Sequence, residues 1–142
     1  MSVARPKVYV AHPQTSYQST YAADQIAALT RALPHAKLVD PEAARWATDA
    51  DWLRDWPGVL GSLSGLVVFA DRAGTIGVGC LRELTDAVMV GLPLAAWEPA
   101  VGLVQLVGFE LVEPESRCAR RAAFLDYGAV VPGDAFPGAG CG

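Results

Sequence analysis

Short, wholly apolar runs alternate along this chain with stretches whose apolar residues recur at helical spacing. Lys7-Val-Tyr-Val-Ala11 reads as a first strand, and the polar turn His12-Pro13-Gln14-Thr15-Ser16 follows it. Ile26, Leu29 and Leu33 lie on one stripe of a helix over Tyr21 to Leu33, which Pro34 stops. Ala36 to Val39 predicts a second strand ending at Asp40-Pro41. Thr48 to Asp51 offers N-cap residues for a helix through Trp52, Trp56, Val59, Leu60 and Leu63, kinked or split at Pro57. Leu66 to Ala70 predicts a third strand, the stretch 71–80 a glycine-rich turn, and Leu81 to Val90 a helix with Glu83 in its first turn and Gly91 as C-cap. Pro93 to Trp97 and Leu103 to Val112 predict two further strands, and Glu115 to Leu125 a final helix.

Strands alternating with helices argue for a parallel sheet covered on both faces. The expected fold is a single doubly wound α/β domain over residues 1–130, flavodoxin-like or Rossmann-like, with a central parallel sheet of about five strands. A Gly- and Pro-rich tail, residues 131–142, is expected to be poorly ordered or ordered only by a partner subunit. Ligands of open parallel sheets bind beyond the carboxyl ends of the strands. Three polar segments map there: His12 to Tyr17, Asp40 to Glu42, and Asp71 to Glu83.

Composition narrows the partners. Lys and Arg number 11 against 15 Asp and Glu, a net charge of −4, which argues against a nucleic-acid polymer. The basic cluster Arg117, Arg120 and Arg121 reads as the outer face of a helix. Prolines, glycines and Glu98 break the apolar stretch from Ala87 to Phe109, so no membrane span is expected. The N-terminus has no long apolar region of the secretory type. Cys80, Cys118 and Cys141 are odd in number and lack metal-type spacing, which suits a reduced, cytoplasmic setting. Charged residues make up only 18%, so a homodimer or larger assembly is expected.

The turn Gly74-x-x-Gly77-x-Gly79 matches neither the dinucleotide fingerprint nor a P-loop. His12 and His35 lack metal-ligand spacing, and no metal or cofactor is expected. The chemistry left is that of two carboxylates, Asp71 at a strand end and Glu83 at a helix start. Backbone N–H groups of Gly77, Val78 and Gly79 are candidates for holding a phosphate or hydroxyl. Cys80 near the helix start is the alternative nucleophile, without a visible base. Trp52 and Trp56, four apart, share a helical face and pack on the sheet; a stacking wall for a base, with Trp46, is the competing reading.

Asp71 through Glu83-Leu84, with Ala87 and Gly91-Leu-Pro-Leu94, resembles the signature of the nucleoside 2-deoxyribosyltransferase superfamily, and Val8-Tyr-Val-Ala-His-Pro13 is similar to its opening strand and substrate loop. The resemblance spans residues 7 to 97. Cys80 stands where the family has Thr, and Thr85 where it has Gly, which adds bulk where helix and sheet are expected to meet. The resemblance implies that Glu83 attacks the anomeric carbon of a (deoxy)nucleoside or nucleotide, while Asp71 orients the sugar or protonates the leaving base. A carboxylate suits an oxocarbenium-like transition state, and two carboxyl groups in different environments can divide the roles. On this reading Tyr9 holds Glu83, and His12, Gln14, Ser16, Tyr17 and Cys80 join the glycine turn as substrate contacts. Transfer to a second base and hydrolysis both remain open, as does non-catalytic nucleotide sensing by the same fold.

Overall fold

β-Branched and apolar residues on both faces make buried strands of β1 (Lys7–Ala11) and β3 (Gly65–Val68), while β2 (Lys37–Val39) and β5 (Leu94–Glu98) flank them. These four run parallel in the order β2-β1-β3-β5. Here and below the protein is described from a computed structural model covering residues 5–44, 48–113, 121–133 and 135–139. Trp46, Arg117, Cys118, Arg120 and Cys141 lie outside the described residues.

Alternation along β1 distributes the core. Val8 and Val10 face α1 (Thr20–Ala32), whose Ala22 and Leu29 are buried beneath them. Tyr9 and Ala11 face α3 (Asp49–Gly61) and α4 (Val78–Met89). A four-residue helix, α2 (Pro41–Ala44), precedes α3. Ser19 caps α1 by accepting from the Ala22 N–H at 3.0 Å, and Thr48 caps α3 by accepting from Asp51 N–H at 3.1 Å. α3 runs through Pro57 without splitting. Gly91, at φ +73°, ends α4 in a Schellman turn: its own N–H bonds Val88 O and that of Leu92 bonds Ala87 O.

The sheet departs from the expected parallel set of about five strands. It is a mixed sheet of seven, continued past β5 by antiparallel β6 (Gly102–Val112), β7 (Ala122–Val130) and β4 (Thr75–Gly77). The expected final helix is absent where it can be followed: Ala122 to Leu125 belong to β7. Pairing with β6 on one side and β4 on the other, and burial of Ala123 and Leu125, override the helical preference of the alanines.

β4 lies four places from β3 in the sheet, yet the chain between them is short. The Asp71 N–H bonds Thr75 O at 3.0 Å, three residues beyond the end of β3. That allows about 10 Å of extended chain, against roughly 19 Å for four strand spacings in a flat sheet. The sheet therefore curls, and irregular pairing around Leu106 and Gly108 supplies the bend. Ile76 of β4 is thereby packed with Tyr9, Leu84 and Ala123.

The tail is also different from expectation. Phe136 is 5% exposed and packs with Val8, Val67 and Leu33, and the His35 N–H bonds Gly138 O at 3.1 Å. An apolar ring at the right distance along the chain docks the tail on its own domain. Among the described residues, no helix is long and apolar enough to cross a membrane.

Phe136→Ala should remove that anchor and destabilise the fold by about 3–5 kcal/mol. Urea denaturation is the measurement, and an unchanged midpoint would show that the tail is not docked.

Candidate functional site

Strand order reverses at β1: α1 carries the chain to β2 on one side, and α3 returns it to β3 on the other. The crevice at the carboxyl ends of β1 and β3 is where such sheets hold ligands. His12, the 3-10 turn Gln14–Ser16, and Asp71 all follow those strand ends.

Glu83 is 5% exposed and lies in the second turn of α4, because the helix starts at Val78, earlier than expected. The Tyr9 hydroxyl donates to Glu83 Oε2. Burial raises the Glu83 carboxyl to about 7, and hydrogen bonds from Tyr9 and Trp52 moderate the rise. Burial and the Glu83 charge push the Tyr9 hydroxyl well above its ordinary range, so it remains a donor. Trp56 meets Tyr9 edge-on at 5.0 Å, donates to Asp86 Oδ2 at 2.8 Å and stacks with Trp52 at 5.7 Å. The two tryptophans pack on β1 and α4 as a wall beside the carboxyl.

Cys80 is 3% exposed, and burial together with Glu83 and Asp71 holds its thiol well above the usual range. These causes outweigh the helix start and act against a thiolate. Thr85, expected at the helix–sheet contact, is exposed and bonds its own helix at Leu81 O, 2.7 Å away.

Asp71 is committed to its turn. Oδ1 accepts from the N–H groups of Ala73 and Thr75, at 3.0 and 3.1 Å. Thr75 Oγ1 lies 3.2 Å from both carboxylate oxygens, and Thr15 Oγ1 donates to Oδ2 at 2.8 Å. A strand-end aspartate that satisfies the following N–H groups makes the chain reverse toward β4. The Thr15 bond staples that turn to the loop after β1. Gly74, at φ +84°, supplies the left-handed residue this reversal needs.

Gly77 is the N-cap of α4 and has no side-chain cap, while Val78 and Gly79 are exposed. Gln14 is exposed and Ser16 is buried. Tyr17 is half-buried, its ring 4.8 Å from that of His12, and burial with the charges of Glu83, Asp40 and Glu42 raises its hydroxyl.

His12 lies across the sheet from Tyr9. It continues the Val8–Val10 side, stacks on Phe69 at 4.8 Å and bonds Asp40 Oδ1 through Nε2 at 2.8 Å. The expected convergence of three segments is thus two linked subsites, with Glu83 and Tyr9 toward α4 and His12, Asp40 and Glu42 toward α1. Tyr17 stands between them. Two cavities open on the α1 side, of about 600 Å³ beside Gln18, Thr20, Asp40 and Glu42, and about 270 Å³ beside Thr15, Tyr21, Asp71 and Arg72. Asp40 and Glu42 belong to a segment the sequence maps to this end of the sheet, but their pairing with His12 carries no motif, and the tryptophans both pack on the sheet, as expected, and form the wall offered as the competing reading. No family model, curated protein or solved structure matches the chain.

The Glu83 shift sets a pH dependence. In the unfolded chain the carboxyl titrates near 4.5, in the fold near 7. Between these values the native state holds more protons, so its stability falls as pH rises through the window, by on the order of 3 kcal/mol in full. Glu83→Gln should flatten that fall and be the more stable protein at pH 8. Urea titrations at pH 5 and pH 8 measure it; an equal pH dependence in both proteins would refute the assignment.

Proposed function

We propose that the protein cleaves or transfers the N-glycosidic bond of a (deoxy)nucleoside or nucleotide, with Glu83 as nucleophile. The observation that carries this reading is a carboxyl group buried at a strand-end crevice, raised to about 7, and held by the Tyr9 hydroxyl. At neutral pH such a group is divided between its two forms, so it can attack as carboxylate without being locked in an ion pair. An apolar wall of Trp52 and Trp56 favours a transition state whose positive charge has the carboxylate as its counter-charge. The helix-start N–H groups of Val78 and Gly79, both exposed, suit a 5′-phosphate or hydroxyl.

The resemblance of residues 7–97 to the nucleoside 2-deoxyribosyltransferase superfamily points the same way. The order of this chain's four parallel strands, β2-β1-β3-β5, supports the reading too, because a flavodoxin-like core would have that order. We read the protein as a cytoplasmic enzyme that needs neither polymeric nucleic acid nor a membrane. A homodimer or larger assembly is in keeping with Val107, Phe109 and Leu111 exposed on β6 and Val88, Met89 and Val90 exposed at the end of α4.

One observation favours a second reading, a nucleotide-binding module without turnover. Asp71, the intended acid, spends both its oxygens on Thr15, Ala73 and Thr75. A carboxylate so engaged is a poor proton donor for a leaving base.

A panel of deoxynucleosides and deoxynucleotides, with and without an acceptor base, separates the readings. Catalysis predicts free or exchanged base, lost by about 10³-fold or more in Glu83→Ala. The rate should rise with pH through about 7 as Glu83 ionises. Tyr9→Phe should move that limb to higher pH, because the lost hydrogen bond favoured the carboxylate. Tight binding without turnover, indifferent to Glu83→Ala, would sink the enzyme reading.

A further inference from the structure

The donor pattern around His12 leaves a position suited to a cation. Ser16 Oγ donates its single proton to Pro13 O at 2.6 Å. It must then accept from His12 Nδ1, 2.8 Å away, which fixes the proton on that nitrogen. In the neutral ring this turns the Nε2 lone pair toward Asp40 Oδ1 at 2.8 Å, acceptor against acceptor. A cation bound beside them, a proton or a metal ion, relieves that opposition.

Three features choose between the two. Glu42 brings a second carboxylate, and one atom each of His12, Asp40 and Glu42 lies within 4.8 Å of the others. Donors bound to one ion at about 2.1 Å stand roughly 3–4 Å apart, so shifts of about 1 Å close the set. The ring is 2% exposed and is gripped between Phe69 and Tyr17, and Ser16 on Nδ1 is the kind of support that aims a ligating histidine. Asp40 and Glu42 also line the cavity of about 600 Å³, which leaves room for water or a ligand to complete the coordination.

We propose that His12, Asp40 and Glu42 form a binding site for one divalent first-row transition cation, with remaining positions open to the adjoining cavity. Imidazole with carboxylates suits Mn²⁺ or Zn²⁺ over Mg²⁺ or Ca²⁺, which take all-oxygen sets. Binding displaces only the proton of Nε2, and His12 keeps its Nδ1 proton on Ser16. The lone spacing of His12 could not reveal this site, because its partners come from the end of β2 and the start of α2. The proposal stands apart from the glycosidic reading, since Glu83 is not a ligand.

Mn²⁺ titration of the full chain, followed by loss of the free-ion paramagnetic resonance signal, tests it. One equivalent should bind in wild type and in Glu83→Ala alike. Asp40→Asn and Glu42→Gln should each weaken binding tenfold or more, while circular dichroism shows an unchanged fold. Glu42 is half-exposed, so its variant keeps the test sound if Asp40→Asn unfolds. No saturable binding up to 1 mM, or binding indifferent to Glu42→Gln in the folded variant, would overturn the site and leave a proton in that position.

Discussion

A carboxyl group taken out of water is the constraint around which this molecule is arranged. An ionised carboxylate in an apolar interior is tolerable only where hydrogen-bond donors replace water. Glu83 has two, from separate parts of the chain: the Tyr9 hydroxyl and Trp52. Strand β1 must therefore present an odd-numbered residue to α4, and α3 must lay its tryptophans against the same helix. Trp56 ties the arrangement together, with its ring against Tyr9 and its N–H on Asp86. Displacing any one of the three elements would leave a buried carboxyl short of partners.

The curl of the sheet is a consequence of the same turn. α4 must start close to the end of β3, and Asp71 reverses the chain there by accepting from the N–H groups of Ala73 and Thr75. The reversal creates β4, an edge of three residues that needs a partner. The long β6–β7 hairpin bends back to provide one, and Ala123 and Leu125 close the core above Ile76 and Leu84. The antiparallel extension is thus the lid of the α4-side core, and the site depends on it as much as on the parallel strands.

The legible half of the fold was the local half. β1, β3 and β5 announce themselves as apolar runs, and α1 and α3 by stripe and cap, because their burial is decided within a few residues of chain. β4 is too short for any period to register. β7 begins with two alanines, and its strand state is imposed by β6 and β4 rather than by its own sequence. In the site, Tyr9 against Glu83 is what the resemblance implies, and strand alternation puts Tyr9 on the α4 side. The expected convergence of His12 with Glu83 fails, since the period of two sends Tyr9 and His12 to opposite faces. Asp71 illustrates a further limit: sequence placed it at a strand end, but only the chain beyond it decides where its oxygens are spent.

Acidic groups of the two faces nevertheless act on one ring. The charges of Glu83, from the α4 face, and of Asp40 and Glu42, from the α1 face, each disfavour loss of the Tyr17 phenolic proton. Burial and these charges together keep the hydroxyl protonated, a donor. A change of charge in either subsite alters what this hydroxyl experiences from the other. His12 adds a mechanical link, because its ring packs on Tyr17 while its nitrogens are tied to Ser16 and Asp40. The Thr15 bond to Asp71 anchors the same loop to the turn that leads into α4. The loop after β1 therefore joins the two faces through its hydrogen bonds, and the space between the carboxylates is set by where that loop holds Tyr17.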